Sequence, residues 1–140
     1  MKISKASKKD IKKLFEIENK IFKDDIMMMR LSSFYYHVEK NFLYKVEVDN
    51  QLVGYILWLK RKRFFRLYSL AVLEEFRKLG LATKLLDFSL EKLKKKDLQL
   101  EVRVSNEKAI KLYEKYGFKK VKILKKYYEN EDGVLMRMER

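Results

Sequence analysis

The fold of this chain is decided by the stretch Arg77-Lys78-Leu79-Gly80-Leu81-Ala82-Thr83. The residues before it, Leu67–Val72, predict a strand, and the residues after it, Leu81–Lys94, predict an amphipathic helix. A glycine turn that leads from a strand into a helix directs several backbone N–H groups to one place, with the positive end of the helix dipole behind them. Gly80 and Ala82 carry little or no side chain, so an anion can approach the backbone closely. The stretch therefore predicts a phosphate-binding turn, although a glycine in such a connection can also serve a purely steric purpose.

A second strand, cap and helix follow downstream. Leu100-Glu101-Val102-Arg103-Val104-Ser105-Asn106 runs into the helical segment Ala109–Tyr116, which ends at Gly117-Phe118. The two segments together resemble the GNAT family of N-acetyltransferases, whose acetyl-coenzyme A motif has the pattern Arg77-x-x-Gly80-x-Ala82. The second segment is similar to the RimI-like and archaeal branch that acetylates protein N-termini. The resemblance covers residues 10 to 140.

The resemblance implies an α/β (α+β) fold in a single domain over residues 1–140. Its sheet would be mixed, mostly antiparallel, with about six or seven strands flanked by about four helices. The implied activity is transfer of an acetyl group from acetyl-CoA to the N-terminal α-amine of a ribosomal protein or nascent chain, without a metal. Two alternatives stay open: an acetyltransferase for a small amine, polyamine or lysine side chain, and a non-catalytic basic module that binds nucleic acid or the ribosome.

The resemblance also assigns the residues that hold the coenzyme. The backbone of the turn would surround the pyrophosphate, with Arg77 assisting; the turn residues are Lys78, Leu79, Gly80, Leu81, Ala82 and Thr83. Leu70 and Val72 would pair with the acetyl-pantetheine arm, and the Val72 N–H would bind the thioester carbonyl oxygen. Asn106 would bond the arm, although its residue type fits a helix cap equally well.

Glu101 and Tyr113 are the catalytic residues that the resemblance implies. Glu101 would take a proton from the acceptor ammonium, directly or through water, and it could equally be an ordinary exposed strand glutamate. Tyr113 has a phenol with an ordinary pKa near 10, which could protonate the departing thiolate. Its place in an apolar helical stripe also fits a core aromatic residue.

Aromatic residues are expected to form the acceptor entrance. One wall would come from Tyr127 and Tyr128, of which only one would contact the substrate, since neighbouring strand residues face opposite ways. The other wall would come from the segment Phe22–Tyr35, with Phe22 and Tyr35 at its ends. Relatives often have a proline near this segment and this chain has none, so the acceptor's identity stays open.

Composition restricts the kinds of chemistry available. The chain has 140 residues, with a single histidine, His37. Because it has no cysteine, disulfides, thiolate metal sites and a cysteine nucleophile are excluded. The net charge of +14 favours an anionic partner such as nucleic acid, the ribosome surface or a phosphorylated cofactor. Solvated helix faces are the alternative explanation for lysines such as Lys92, Lys94, Lys95 and Lys96. The charged segment Met1–Lys13 does not resemble a signal peptide, so a cytoplasmic protein is expected, with no membrane partner and no indicated oligomeric state.

Hydrophobic periodicity predicts the remaining elements. The Asp49-Asn50 pair predicts a hairpin turn. A polar loop that contains Asp132-Gly133 is expected between the last two strands. The expected helices are Lys8–Phe22, Asp24–Lys40 and Glu107–Tyr116, and the second of them is expected to have a flexible entrance. The expected strands are Ile3–Ala6, Phe42–Val48, Leu52–Lys60, Phe64–Val72, Leu98–Val104, Lys120–Lys126 and Val134–Met138.

Overall fold

A computed structural model describes residues 1–94 and 96–140, so Lys95 lies outside the described residues. The α-helices are α1 (Ile11–Phe22), α2 (Leu31–Lys40), α3 (Leu81–Lys92) and α4 (Glu107–Lys115), and short 3₁₀ helices cover Lys8–Asp10 and Glu74–Leu79. The strands are β1 (Lys2–Lys5), β2 (Phe42–Val48), β3 (Gln51–Lys60), β4 (Phe64–Val72), β5 (Asp97–Arg103), β6 (Lys119–Tyr128) and β7 (Glu131–Met138). Hydrogen bonds order the strands β1-β2-β3-β4-β5-β7-β6. The mixed α/β fold is therefore confirmed.

The residues form two compact units, of which the first comprises Met1–Lys60 and Tyr68–Leu93. It holds β1, β2, β3, the second half of β4 and the helices α1 to α3. Strand β3 reads as a nearly continuous apolar run, and its residues from Val53 to Leu59 are buried. A strand with both faces apolar needs cover on both sides, and the helices supply buried side chains such as Leu14, Phe34 and Leu85.

The second unit comprises Arg61–Leu67 and Lys94–Arg140. The first half of β4 pairs with β5 in parallel, while β5 with β7 and β7 with β6 are antiparallel. The core includes Leu98, Leu100 and Val102, which alternate along β5 with polar residues on the other face, and Val134 and Met136 of β7, which lie opposite Val102 and Leu100. The expectation of one domain over residues 1–140 stays a prediction.

The predicted hairpin between β2 and β3 is confirmed. Asp49 and Asn50 both have positive φ, at 50° and 65°, which are the angles that a two-residue type I′ turn requires. Asparagine and aspartate tolerate this region better than most residues. The local sequence alone therefore determined this connection.

The predicted helix over residues 24–40 is wrong in its first part, because α2 begins at Leu31. The Met27 N–H donates to the Asp25 carboxylate at 2.8 Å, which forms a local turn that competes with a helix. The Met29 N–H donates at 2.8 Å to Glu18 of α1. These bonds to side chains hold residues 25–29 in a non-helical path.

The expected loop at Asp132-Gly133 is also wrong, because both residues lie in β7 and the chain turns at residues 129–130. Lys126 has a φ of 51°, and its N–H donates to the Asp132 carboxylate at 2.8 Å. A Cβ on Gly133 would lie 3.1 Å from the Tyr128 ring and 3.2 Å from the Tyr127 ring. The glycine therefore permits two aromatic rings to approach the strand and does not form the turn.

Gly54 lets β3 and the end of β4 approach closely, which gives a first prediction. A Cβ there would lie 2.7 Å from the Ala71 carbonyl oxygen and 3.1 Å from a Val72 methyl group. We expect Gly54→Ala to lower the free energy of unfolding by about 1–3 kcal/mol, measured by urea denaturation, because the backbone must move. Gln51→Ala, at an exposed position of the same strand, is the control and should change it by less than about 0.5 kcal/mol. Equal midpoints for Gly54→Ala and the parent would contradict the close approach.

Candidate active site

The predicted phosphate-binding turn begins with a backbone reversal at Gly80. Its φ of 70° and ψ of 26° are left-handed, and a Cβ there would meet no heavy atom within 4 Å. The residues before it do not form an open turn as expected, since Arg77, Lys78 and Leu79 lie in the 3₁₀ helix Glu74–Leu79. Helix α3 then begins at Leu81, with its first backbone bond from Lys84 N–H to the Gly80 carbonyl at 3.1 Å. The N-terminal turn of α3 therefore presents backbone N–H groups and the positive end of its dipole beside a residue without a side chain.

Arg77 is tied to the end of β4 in the same unit. Its Nε donates to the Val72 carbonyl oxygen at 2.9 Å, and its side chain is exposed. The Leu73 N–H donates to Val53 of β3 at 2.9 Å, which fixes the strand end from the other side. The peptide that joins Val72 to Leu73 is thus held by two neighbouring elements, and it directly follows the Val72 N–H that is expected to bind the thioester carbonyl.

Leu70 and Val72 lie in the half of β4 that belongs to the first unit. The parallel pairing of β4 with β5 joins Phe64 to Asp97 and continues to Leu67 and Leu100. Both predicted arm-binding residues lie beyond the last of these pairs. The Val72 side chain is buried and the Leu70 side chain is half-buried. The resemblance assigns coenzyme binding to the main-chain groups of these two residues and not to their side chains.

Glu101 is not an exposed strand glutamate. Its side chain is 8% exposed, and the Arg66 Nε donates to one carboxylate oxygen at 2.6 Å. Arg66 lies opposite Gln99 in the parallel pair, so alternation places Arg66, Gln99 and Glu101 on one face. The Gln99 amide donates to the second Glu101 oxygen at 3.3 Å. Donors on two strands therefore hold the carboxylate that the resemblance predicted to be the base.

Arg66, which no sequence motif indicates, also reaches Tyr127 at the predicted acceptor entrance. Its Nη2 donates to the Tyr127 hydroxyl at 2.9 Å. One guanidinium thus joins a carboxylate of β5 to a phenol of β6 through donors whose geometry is fixed by the planar group. The sequence shows an arginine at position 66, but its contact with Glu101 follows only from the register in which β4 pairs with β5.

Tyr127 and Tyr128 do not face opposite ways, contrary to the expectation. Their ring centroids lie 4.9 Å apart in an edge-to-face contact, because the pairing of β6 with β7 shifts between Leu124 and Tyr128. A bulge of this kind changes the side to which the next side chain points. The Arg103 guanidinium lies 4.4 Å from the Tyr128 ring centroid. Burial, together with nearby Tyr127 and Glu101, raises the pKa of Tyr128 to about 12.

Tyr113 lies on α4, and Asn106 is the N-cap residue that directly precedes this helix. Tyr113 is half-buried, packs edge-to-face against Phe118 at 5.8 Å between centroids, and has a pKa raised to about 12 by burial. Its phenol therefore stays protonated throughout the neutral range. The Asn106 side chain accepts from the Ala109 N–H at 3.1 Å, so the cap that the residue type allowed is present.

The other predicted wall lies in the first unit and is apolar at its surface. Phe22, the last residue of α1, is half-buried, and Tyr35 of α2 is 44% exposed. Between them, Ile26 is 76% exposed and Met27 45% exposed. Scattered exposed apolar residues are ordinary, but several on one short segment are typical of a binding surface.

A buried polar cluster, which the sequence analysis did not predict, anchors this wall. Glu18 is 3% exposed, accepts from the Met29 N–H and accepts from the Tyr55 hydroxyl of β3. Tyr55 also lies 3.3 Å from the Ser69 hydroxyl of β4. Since the Tyr55 proton goes to Glu18, Ser69 donates to Tyr55. The cluster therefore connects Met29, through Glu18 and Tyr55, to Ser69 of β4, which directly precedes Leu70.

Glu18 gives a second prediction, since burial raises its pKa and outweighs the bonds from Met29 and Tyr55. A raised pKa in the folded state means that its contribution to stability is complete below the unfolded pKa and is lost as pH rises through the folded pKa. Glutamine keeps the side-chain size and cannot ionise. We therefore expect Glu18→Gln to gain stability relative to the parent as pH rises above the unfolded glutamate pKa of about 4.3 and through the raised folded pKa, measured by urea denaturation at each pH. Exposed Glu16→Gln on the same helix is the control, and parallel curves for parent and Glu18→Gln would contradict the assignment.

Two general findings concern the described part of the chain. No group of three or more His, Cys, Asp or Glu side chains is placed there to hold a metal ion. No helix in residues 1–94 and 96–140 is long and apolar enough to cross a membrane.

Comparison with known proteins agrees with the fold and the motif. The model of the acetyltransferase (GNAT) family matches residues 10–118, which is most of the chain. The chain belongs to the acetyltransferase (GNAT) family. The family uses acetyl-CoA as the acetyl donor.

Relatives of this chain include an N-alpha-acetyltransferase of Saccharolobus solfataricus, 47% identical over 108 residues that cover 64% of each chain. The chain thus spans just under two thirds of the length of that curated relative. An uncharacterized N-acetyltransferase of Methanocaldococcus jannaschii is 37% identical over 141 residues, 97% of this chain and 90% of the relative. The crystal structure of the ribosomal-protein-S18-alanine N-acetyltransferase from Escherichia coli has a TM-score of 0.86 at 24% identity, covering 99% of this chain and 92% of that one. The resemblance to the archaeal and RimI-like branch is confirmed.

Proposed function

We propose that this enzyme transfers the acetyl group of acetyl-CoA to the N-terminal α-amine of a protein, with a ribosomal protein or a nascent chain as the acceptor. The observation that carries the proposal is the Glu101 carboxylate, which is nearly buried and held by Arg66 and Gln99 in a chain of this family. The similarity to an N-alpha-acetyltransferase over 64% of the chain supports the choice of acceptor.

The coenzyme is proposed to bind at the start of α3 and along the end of β4. Its pyrophosphate would accept hydrogen bonds from the backbone of residues 78–83 beside Gly80, where the helix dipole favours negative charge. Its arm would pair with the main chain at Leu70 and Val72, and the Val72 N–H would donate to the thioester carbonyl. Arg77 would attract the pyrophosphate through its positive charge, and its hydrogen bond to the Val72 carbonyl oxygen would fix the position of the strand end. Asn106 would bond the arm in addition to capping α4.

Glu101 is proposed to be the general base. The acceptor ammonium gives one proton to Glu101, directly or through a water molecule, and the neutral nitrogen attacks the thioester carbonyl carbon. A carbon–nitrogen bond forms and the carbon–sulfur bond breaks. The attacking nitrogen then loses its second proton to solvent, the departing sulfur takes up one proton and leaves as a thiol, and Glu101 returns its proton to solvent, so that one proton is released overall. Arg66 is proposed to orient the Glu101 oxygens, since its planar group allows little rotation.

Tyr113 is proposed as the donor to the departing sulfur. A thiol has a pKa near 8.5, by analogy with cysteine, whereas the Tyr113 pKa is about 12. Complete transfer of the phenol proton to an isolated thiolate would be uphill by roughly 5 kcal/mol. Tyr113 therefore acts first as a hydrogen-bond donor to the sulfur and passes on its proton only as another proton replaces it.

Tyr113→Phe tests this role and gives a third prediction. The variant removes one hydroxyl and keeps the ring that packs on Phe118. We expect kcat to fall about 10-fold or more, with the coenzyme affinity and the thermal midpoint nearly unchanged. The measurement is kcat with a short peptide, with Tyr116→Phe, a half-buried tyrosine on the same segment, as the control. An unaltered kcat in single-turnover reactions would remove Tyr113 from the chemical step.

Phe22, Tyr35, Tyr127 and Tyr128 are proposed to contact the acceptor. The Arg66 bond to Tyr127 and the Arg103 contact with Tyr128 hold these two rings in place. The apolar surface between Phe22 and Tyr35 suits the side chain of the first acceptor residues.

The proposed acceptor is tested with labelled acetyl-CoA and a panel of acceptors. Peptides with free N-termini, the same peptides with blocked N-termini and internal lysine, and a polyamine are compared by kcat/KM. The proposal expects turnover of the first group. Preferential turnover of the polyamine or the blocked peptides would favour the alternative acceptors, and no turnover of any would contradict the proposal.

A further inference from the structure

Positive charge is concentrated in the second unit of the chain. Its sequence ranges, Arg61–Leu67 and Lys94–Arg140, hold 18 of the 34 basic residues and 8 of the 20 acidic residues. The excess of 10 basic over acidic residues in this unit accounts for most of the net charge of +14, although the second unit is the smaller one. Charge of one sign that is gathered on one part of a surface attracts partners of the opposite sign.

Much of this charge lies along β6, the outermost strand of the sheet, which is bonded to β7. Five of its residues are exposed lysines: Lys119, Lys120, Lys122, Lys125 and Lys126. Val121 and Ile123 between them are 50% and 51% exposed. We call these seven residues the β6 edge.

Carboxylates do not neutralise the lysines of the β6 edge in the described part of the chain. The ion pairs Arg66–Glu101 and Arg103–Glu131 lie in the second unit, and among the described residues no ion pair involves a lysine of β6. Five like charges within eight residues repel one another, which costs stability unless an anion lies near them. A few lysines suffice to prevent an outer strand from pairing with another copy, so edge protection alone does not require so many.

The helix before β6 adds charge on one face. Lys108, Lys111 and Lys115 recur at helical spacings of three and four, and all three are exposed. Three residues, Tyr116 to Phe118, separate α4 from β6 along the chain. Eight exposed lysines therefore occur within one helix–strand segment.

We propose that the β6 edge binds the phosphate backbone of RNA. Self-pairing of two β6 edges would bring ten ammonium groups together, so a second copy of the chain is disfavoured. Surface binding to a membrane typically uses an amphipathic helix with a broad apolar face, whereas the β6 edge offers two aliphatic side chains. A row of cations along an extended strand, which rises about 3.3 Å per residue, follows a polyanion's backbone over roughly 20 Å. This binding is separate from acetyl transfer and does not depend on the proposed acceptor.

The test is the binding of a fluorescently labelled oligouridine to the full chain, measured by anisotropy across about 50 to 200 mM potassium chloride. The variant Lys120→Glu/Lys122→Glu/Lys125→Glu keeps charges on the outer strand, so protection against self-pairing is preserved. The control variant Lys8→Glu/Lys12→Glu/Lys20→Glu makes the same change of charge at exposed positions of the first unit. Acetylation of a short free peptide is measured in parallel for all three proteins.

We expect the β6 variant to bind RNA at least 10-fold more weakly than the parent at low salt. Its slope of log affinity against log salt should fall by about 2, because three single-strand phosphate contacts are lost. The control should bind within about threefold of the parent, and all three should acetylate the free peptide equally. Equal losses of RNA affinity in both variants would show that binding depends on the net charge of the protein and not on the β6 edge, which would overturn the proposal. Loss of binding to phosphatidylserine vesicles with RNA binding unchanged would overturn it in favour of a membrane partner.

Discussion

Glu101→Gln should lower kcat/KM for a peptide with a free N-terminus by about 100-fold or more, the usual contribution of a positioned general base. Glutamine keeps an oxygen that can accept from the Arg66 Nε but cannot take a proton at neutral pH. The remaining activity should rise toward higher pH, because an α-amine with a pKa near 8 then becomes neutral without help. The measurement is a pH profile of kcat/KM for parent and variant.

The control for this prediction is Glu114→Gln, at an exposed position of α4 in the same unit. It removes one carboxylate from the protein without touching the proposed base, so its profile should match the parent's. Circular dichroism spectra establish that each variant is folded. Superimposable profiles for parent and Glu101→Gln would remove Glu101 from the mechanism.

Gly80 is the position where a new negative charge should weaken coenzyme binding most. Aspartate and asparagine both tolerate the left-handed region that Gly80 occupies at φ 70°, and they have nearly the same size. A Cβ there has open space, so neither side chain disturbs the packing of the protein itself. Gly80→Asp should bind acetyl-CoA about 10- to 100-fold more weakly than Gly80→Asn, because its carboxylate would face the pyrophosphate.

The coenzyme affinities of these two variants are measured by isothermal titration calorimetry at low and moderate salt. The difference between them should shrink as salt increases, since an exposed charge pair is screened. Gly80→Asn isolates the effect of adding a side chain. Equal affinities for Gly80→Asp and Gly80→Asn would contradict the placement of the pyrophosphate at this turn.

The parts of the fold that the sequence predicted correctly depend on local chemistry. Asp49 and Asn50 suit a two-residue turn, and Gly80 suits a left-handed residue before a helix. The first part of the helix expected over residues 24–40 did not form because the Asp25 side chain makes a local turn and because Glu18, on the preceding helix, accepts from the Met29 N–H. Local patterns cannot reveal a bond of that kind.

The candidate site shows the same division between local and remote information. Motifs within a few residues of each other singled out Glu101, Asn106 and the turn at Gly80. Arg66 was not found, because its contact with Glu101 depends on the register of two strands 35 residues apart. Tyr127 and Tyr128 were expected to point apart, and a bulge that involves Lys126 brings their rings together.

Transfer of the acetyl group to an N-terminal α-amine can be measured in a single peptide. The peptide carries a free N-terminus and an internal lysine, and tandem mass spectrometry locates the acetyl group after partial reaction at neutral pH. A lysine ε-amine near pKa 10.4 needs roughly 3 to 4 kcal/mol more than an α-amine to lose its proton. We expect acetylation at the α-amine, with the lysine unmodified in the same molecules. Acetylation of the lysine with a free α-amine left unmodified would contradict it.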